Sequence, residues 1–442
     1  MNQSPIDPAE GQHLRRSLGL WSVTVSGVGV VLGAGIYVLV GEAAGEAGDA
    51  TWMAFLIAGL LAAFTGLSFA ELAAMYPEAG ASAAYAEEAF GPRTGFVTGW
   101  LDVTVNVVGA AAVALGFAGY ASDLLGGDPR WIGVGLIVLT SAIVYIGVRE
   151  TVMLAVVFAL LEVAGLVIVI AVGLPDLAMP SFEVPRGAAG VLAAAALVFF
   201  AYEGFEEIVS LSEETRHPTR TIPRALVIAI GVTSAIYVLV AATAVSVVDW
   251  EELAVAEAPL ALVARVAGDD RLADALSTVA LFATFNTVLL LLATGSRVTY
   301  GMSRRGLLPA GLGRLSPRQT PWIATLGLAG LAIAFVFTGD IGYVAQVTNF
   351  AVFGQFLVVN AAVIWLRRAR PEADRPFRIP GSWGGVPWTA ATGIGGTLLL
   401  AFFMDRTAFI TGGIALALGV LLSFPALRPR AATPSREDGP VE

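Results

Sequence analysis

The chain has no cysteine, no lysine and only two histidines, His13 and His217, in 442 residues. Without cysteine there is no disulfide and no thiol chemistry. Both histidines fall outside the long apolar segments, which excludes a histidine-based metal site or catalytic centre within them. No metal-ligating motif is visible elsewhere. Charge is also scarce, with 14% of residues charged against 57% hydrophobic and a mean hydropathy of +0.78. That balance excludes an ordinary soluble domain and indicates a polytopic membrane protein. The missing lysine also removes the phosphate-binding pattern G-x-x-x-x-G-K-[ST], so nothing supports ATP-driven chemistry. The polar start MNQSPIDPAEGQHLRR lacks the apolar core and small-residue site of a cleavable leader, so the first apolar segment is expected to stay as an anchor.

Apolar stretches of about 17 to 25 residues, the length that crosses a bilayer, occur twelve times. They are 18–40, 52–75, 94–122, 131–146, 151–174, 188–211, 223–247, 272–296, 321–338, 341–366, 386–404 and 408–427. None has the ten-residue alternation of a barrel strand, so the expected fold is all-α with twelve transmembrane helices. Arginine alone reports orientation. With the N-terminus inside, 20 of the 25 arginines fall in inner segments and five (Arg130, Arg186, Arg265, Arg271 and Arg406) outside. The positive-inside rule then places both termini in the cytoplasm and the chain in the plasma (inner) membrane. Residues 1–17 form a cytoplasmic N-terminal segment, and the polar, proline-bearing tail 428–442 is expected to be disordered. In the outer stretch 248–271, the spacing of Leu253, Val255, Leu260 and Val263 predicts a short surface helix capping an outer entrance. The arginine-rich inner loops 297–320 and 367–385 read as topology determinants or lipid-headgroup contacts.

Two apolar spans are broken near their middle by glycine: GVGVVLGAGIYVLVG (Gly27–Gly41) in the first and LVFFAYEGFEEIV (Leu197–Val209) in the sixth. Interrupted helices at membrane depth are tolerated only where protein or a wet cavity surrounds them. Twin breaks at corresponding places in two halves mark a solute site near the midplane of a transporter. At Gly33-Ala34-Gly35 the backbone is free to turn, and the N–H groups at the start of the next half-helix suit a carboxylate. At Ala201-Tyr202-Glu203-Gly204 the carbonyls ending the first half-helix suit an ammonium. Together they offer what an amino acid zwitterion needs. Close helix packing is the alternative use of Gly27, Gly29 and Gly33. Tyr37, Phe199, Phe200, Tyr202 and Phe205 either wall and gate this pocket or pack against neighbours.

The first of these stretches resembles the opening G-x-G-x-x-x-G-x-G-I-[FY]-x-L signature of the amino acid-polyamine-organocation superfamily of permeases. Four further stretches are similar to that family in the same order: FAELAAMYPEAGASAAYAEEAFG (Phe69–Gly91), VFFAYEGFEEIVSLSEETRHPTRTIPRA (Val198–Ala225), SRVTYGMSRRGLLP (Ser296–Pro309) and LRRARPEADRPFRIPG (Leu366–Gly381). The resemblance implies a five-plus-five inverted repeat, helices 1–5 (18–174) against helices 6–10 (188–366), with two peripheral helices in 386–427. It makes Phe205 the gate candidate. It also places Asn286 and Thr287 where the family's eighth helix lines a cation site. Ala34 stands where relatives often carry Ser or Thr, so backbone amides alone face the carboxylate.

Glu162 lies mid-span in VVFALLEVAGLVIVIAV, and no basic residue occurs at comparable depth in any span. An unpaired ionised carboxylate there costs about 2.5–3.5 kcal/mol or more, so Glu162 is either protonated or holds a cation. Many relatives carry a lysine at this point, so the sign is inverted here. A carboxylate cannot replace a sodium ion, but it can carry a proton or help ligate sodium with Asn286 and Thr287. The bland alternative is a neutral acid hydrogen-bonded to Asn286. Glu203, inside the second break, either enters the pocket and favours a cationic side chain or amine, or turns toward an inner vestibule with Glu206 and Glu207. Asp102 and Glu71 lie near inner helix ends, where they are expected to snorkel to water without a transport role.

The function that follows is secondary active import of an amino acid or related amine by alternating access, coupled to protons through Glu162. A sodium-coupled or polyamine-specific carrier of the same fold, or a transport-silent sensor, are the alternatives. Nothing indicates an enzyme, and no cofactor is implied beyond the coupling ion, H+ or Na+. The implied partners are a small-molecule substrate and membrane lipid. Nothing points to nucleic acid or to a particular oligomeric state.

Overall fold

The computed structural model describes residues 18–76, 82–147, 152–177 and 183–426. The terminal segments 1–17 and 428–442 lie outside the described residues. Among the described residues, seventeen α-helices carry most of the chain. The first two, α1 (Leu20–Val31) and α2 (Gly35–Ala47), are halves of one interrupted rod. They are followed by α3 (Thr51–Met75), α4 (Ser82–Phe90), α5 (Pro92–Leu125), α6 (Pro129–Ile146) and α7 (Val152–Gly173). The second interrupted rod is α8 (Gly187–Val198) and α9 (Glu207–Ser210), and α10 (Pro218–Val247) comes next. Two short helices, α11 (Trp250–Ala254) and α12 (Pro259–Ala267), precede α13 (Asp270–Arg304), α14 (Trp322–Val336) and α15 (Ile341–Ala369). A small hairpin of β1 (Ser382–Trp383) and β2 (Val386–Pro387) leads to α16 (Trp388–Phe402) and α17 (Arg406–Ala426).

The apolar stretches are carried mainly by helices, because long runs of Ala, Leu, Val and Ile leave the backbone few other ways to satisfy itself. Eight stretches among the described residues are long and apolar enough to cross a membrane, while α1, α14 and α16 are apolar but shorter. The chain is therefore an integral, polytopic and nearly all-helical membrane protein. Helix starts are set by local chemistry: the side chains of Asp128, Asp269 and Asp340 accept from the backbone N–H of Arg130, Leu272 and Tyr343 at 2.9, 2.9 and 2.8 Å, satisfying donors that lack an intrahelical partner.

The 34-residue α5 is the central post. It packs against α6, α13, α14, α15 and α17. Opposite it, α10 packs on α1 and α3, and α2 packs on α8, which brings the two interruptions to one level. The stretch 248–271 forms two short helices, α11 and α12, rather than one. Leu253, Leu260 and Val263 are buried as the periodicity requires, but Val255 is 81% exposed because the chain breaks between the two helices there.

Glu71 does not snorkel. It is 1% exposed and pairs with Arg367 of α15, which is also buried, through two bonds, 2.8 Å from Nε and 2.5 Å from Nη2. The Ile379 N–H donates to the same carboxylate at 2.9 Å, and Arg375 Nε lies 3.6 Å away. Acceptor capacity is thus filled from three sides, which makes the burial tolerable. The consequence is a clamp tying the loop after α15 to the C-terminal half of α3. Removing one partner strands the other charge, so Glu71→Ala is expected to cost about 3–5 kcal/mol of stability. Breaking the exposed Arg370–Glu88 pair should cost under about 1 kcal/mol. Thermal unfolding of the two variants separates these values, and equal losses would count against the clamp.

Candidate functional site

The site is built where the rods unwind. In the first, α1 ends at Val31 and α2 begins at Gly35, leaving Leu32, Gly33 and Ala34 between them. In the second, α8 ends at Val198, a 3-10 turn covers Phe199–Tyr202, and Glu203 is extended (φ −61°, ψ 143°). Gly204 follows at φ +106°, a backbone state that side chains strongly disfavour.

The two breaks touch. A Cβ on Gly35 would lie 2.5 Å from Ala201 Cα and 2.8 Å from Ala201 Cβ. One on Gly204 would lie 3.1 Å from Val30 Cγ1, and one on Gly33 would lie 3.4 Å from Thr287 Oγ1 of α13. Gly33, Gly35, Ala201, Gly204 and Thr287 are therefore brought to one place. Val30, beside the first break, is 45% exposed, so space opens next to it.

Tyr237 of α10 joins the two rods. Its fully buried hydroxyl lies 2.6 Å from the Val31 carbonyl and 2.9 Å from the Ala201 carbonyl, one from each break. Asn349 of α15 donates to the Ala196 and Leu197 carbonyls at 2.7 and 2.9 Å, and the Glu203 N–H reaches the Phe200 carbonyl at 3.3 Å. The carbonyls ending α8 thus already carry protein donors. An ammonium arriving at Ala201 would share its acceptor with the Tyr237 hydroxyl.

The aromatics are committed to packing rather than lining an opening. Phe199 meets Phe353 and Phe356 edge-on at 5.1 and 5.5 Å, and the Tyr202 hydroxyl donates to the Phe55 carbonyl at 2.7 Å. Phe205, the expected gate, is wholly buried between α3 and α15, with Phe69 5.6 Å and Phe356 5.4 Å away. Its ring is held by those contacts. Phe200 is 6% exposed and approaches α5 at Gly109. Tyr37 donates to the backbone carbonyl of Glu162 at 2.6 Å.

Glu162 itself is 2% exposed, and its Oε1 has no hydrogen-bond partner among the described residues. No bond joins it to Asn286, so the purely structural pairing is absent. The titratable groups near enough to act on it electrostatically are the tyrosines Tyr37 of α2 and Tyr237 of α10. Thr287 donates to the Ala283 carbonyl at 3.0 Å while facing the first break, and Asn286 is half-buried.

Glu203 is half-buried, and the charged groups acting on it are Glu206, Asp102 and Glu207. Asp102, to which the sequence assigns no transport role, therefore joins this group from α5. Glu206 accepts from the Gly204 N–H at 3.1 Å and so also steadies the reversal. Glu207 is exposed. Among the described residues, no basic residue is bonded to any of these four carboxylates. The signals missed in the sequence are this convergence and Tyr237. A lone hydroxyl in an apolar span must find an acceptor, and a broken helix supplies one.

Touching interruptions in two rods of a polytopic membrane protein define a solute-site architecture of the transporter class. A family profile described as "Amino acid permease" matches residues 18–424. The branched-chain amino acid permease BcaP of Bacillus subtilis is 28% identical over 93% of this chain and 93% of its own length. The methylthioribose transporter of the same organism is 30% identical over 94% of each chain. The vacuolar cationic amino acid transporter 4 of Arabidopsis thaliana is 30% identical over 82% of this chain and 65% of its own. The chain belongs to the amino acid permease family. It is a transporter, not an enzyme.

Proposed function

We propose that this chain imports an amino acid or a related amine across the plasma membrane as a secondary active transporter working by alternating access. In this reading twelve spans form a five-plus-five inverted repeat, 18–174 against 188–366, with α16 and α17 (386–427) peripheral and both termini cytoplasmic. The observation that carries it is the abutment of the breaks at Gly35 and Ala201. Amide donors around Gly33, Ala34 and Gly35 bind the carboxylate, and carbonyls of the second break, shared with Tyr237, take the ammonium. The relatives' names support the substrate class, since two of the three carry amino acids. Glu162 is the proton carrier, supported by its burial and unpartnered Oε1, and sodium held with Thr287 and Asn286 is the alternative coupling. Uptake of radiolabelled amino acids into proteoliposomes tests the reading. Saturable uptake supports it, and none across the amino acids and common amines would remove it.

A second reading, selectivity for cationic substrates, is favoured by the three carboxylates, Glu206, Asp102 and Glu207, gathered around Glu203. If Glu203 meets a cationic group, Glu203→Gln weakens lysine, arginine or polyamine binding by about 2 kcal/mol or more, roughly 30-fold. Neutral amino acids are unaffected. Competition assays with both classes check this, and an equal loss for both removes the reason to infer amine selectivity.

A further inference from the structure

A cavity of about 250 Å³ lies between the end of α6, the Leu289–Tyr300 stretch of α13 and the loop before α14. It is separate from the two breaks. On α13, Thr287 and Gly295 face α1 and α5, where Gly33 and Asn106 meet them. The cavity is lined instead by Leu289, Ala293, Arg297 and Tyr300, which recur at helical spacing on another face of the same helix.

Its chemistry is divided. Ile143, Leu289 and Leu315 provide an apolar floor, and Arg297, Tyr300 and Gln319 a polar edge. Arg297 is exposed, and none of these three polar side chains has a hydrogen bond or ion pair among the described residues. Among the described residues, no acid lines the cavity. The wall behind them is firm: Thr320 donates to the Tyr145 carbonyl at 3.0 Å, Ser316 and Thr320 share a 2.7 Å bond, and Arg318 reaches the Ile146 carbonyl. Beside the mouth, α6 exposes an apolar strip, with Val138 55%, Leu139 53% and Ile146 53% accessible.

We propose that this cavity is a binding site for an anionic phospholipid, whose phosphate sits on Arg297, Tyr300 and Gln319 and whose acyl chains run over the floor onto the α6 strip. A guanidinium with free N–H groups matches phosphate geometry through paired bonds. Basic pockets between membrane helices near the inner face take lipid headgroups in this way. A free phosphate would use the edge but leave the apolar floor and strip unused, so charge and shape together favour the lipid. Arg297 lies two turns before the end of α13 at Arg304, a depth suited to a headgroup at the inner surface in the orientation proposed above.

The test is thermal unfolding of the purified full-length chain in neutral detergent with dioleoyl phosphatidylglycerol, dioleoyl phosphatidylcholine or millimolar inorganic phosphate, with bound lipid counted by native mass spectrometry. Phosphatidylglycerol should raise the unfolding midpoint, and phosphatidylcholine and phosphate should not. Arg297→Gln, at an exposed position where folding is not at stake, should lower the apparent phosphatidylglycerol affinity about tenfold. Arg314→Gln, exposed on the adjoining loop outside the cavity lining, should leave it unchanged. An Arg297→Gln protein that binds phosphatidylglycerol like wild type overturns the site. An equal response to phosphatidylcholine removes the role of charge, and a shift reproduced by inorganic phosphate alone makes it a free-anion site.

Discussion

A single methyl group at position 35 should abolish transport. In Gly35→Ala the new Cβ would stand 2.5 Å from Ala201 Cα and 3.2 Å from Ala201 N. Those are backbone atoms, which no rotamer change can move aside. The two breaks must then separate by about 1 Å to restore ordinary contact, and a displacement of that size at a binding site costs about 100-fold in rate. It also pulls Tyr237 from one of its two carbonyl partners, since Val31 and Ala201 belong to different rods. The expected result is uptake at least about 100-fold below wild type, with surface expression retained. Gly135→Ala is the control, because a Cβ there meets nothing within 4 Å. Wild-type substrate affinity in Gly35→Ala would remove the helix-one break from the binding site.

This contact sharpens a substitution that the sequence alone suggests only in outline. Glycine at Gly33 and Gly35 in an apolar run signals that the helix is interrupted, and hydropathy locates the spans, because both depend on a few neighbouring residues. What each side chain faces depends on packing between distant segments. Glu71 and Arg367 are 296 positions apart, and nothing near Glu71 in sequence distinguishes a buried partner from open water. Asp102 and Glu203 converge for the same reason, across α5 and the second break. The aromatic rings show the limit from another side. A Phe next to a break is equally compatible with a gate and with a core, and only the presence of Phe69 and Phe356 puts Phe205 in the packing. The glycine signal was thus readable at the level of backbone, while the polar and aromatic assignments needed the fold.

Replacing Glu162 by glutamine should uncouple transport without stopping it. Glu162 is 2% exposed in the middle of α7, its Oε1 has no partner, and the neighbouring titratable groups are the hydroxyls of Tyr37 and Tyr237. With no basic side chain to hold it ionised, a proton is the simplest counter-charge, and the transport cycle must deliver that proton to each side in turn. Glutamine keeps the shape and hydrogen-bonding capacity but cannot exchange a proton. Glu162→Gln proteoliposomes should therefore still swap internal for external substrate, because exchange needs only reorientation of the loaded site. They should lose accumulation driven by a pH gradient. At one proton per substrate, each pH unit is worth 1.36 kcal/mol, or about tenfold accumulation, so the variant should fall from that ratio to unity. If wild-type uptake instead requires sodium and ignores an imposed pH gradient, the carboxylate is a sodium ligand. If the glutamine variant still concentrates substrate on a proton gradient, Glu162 is structural and the coupling group must be sought first among Asp102, Glu203, Glu206 and Glu207, the carboxylates gathered at the second break.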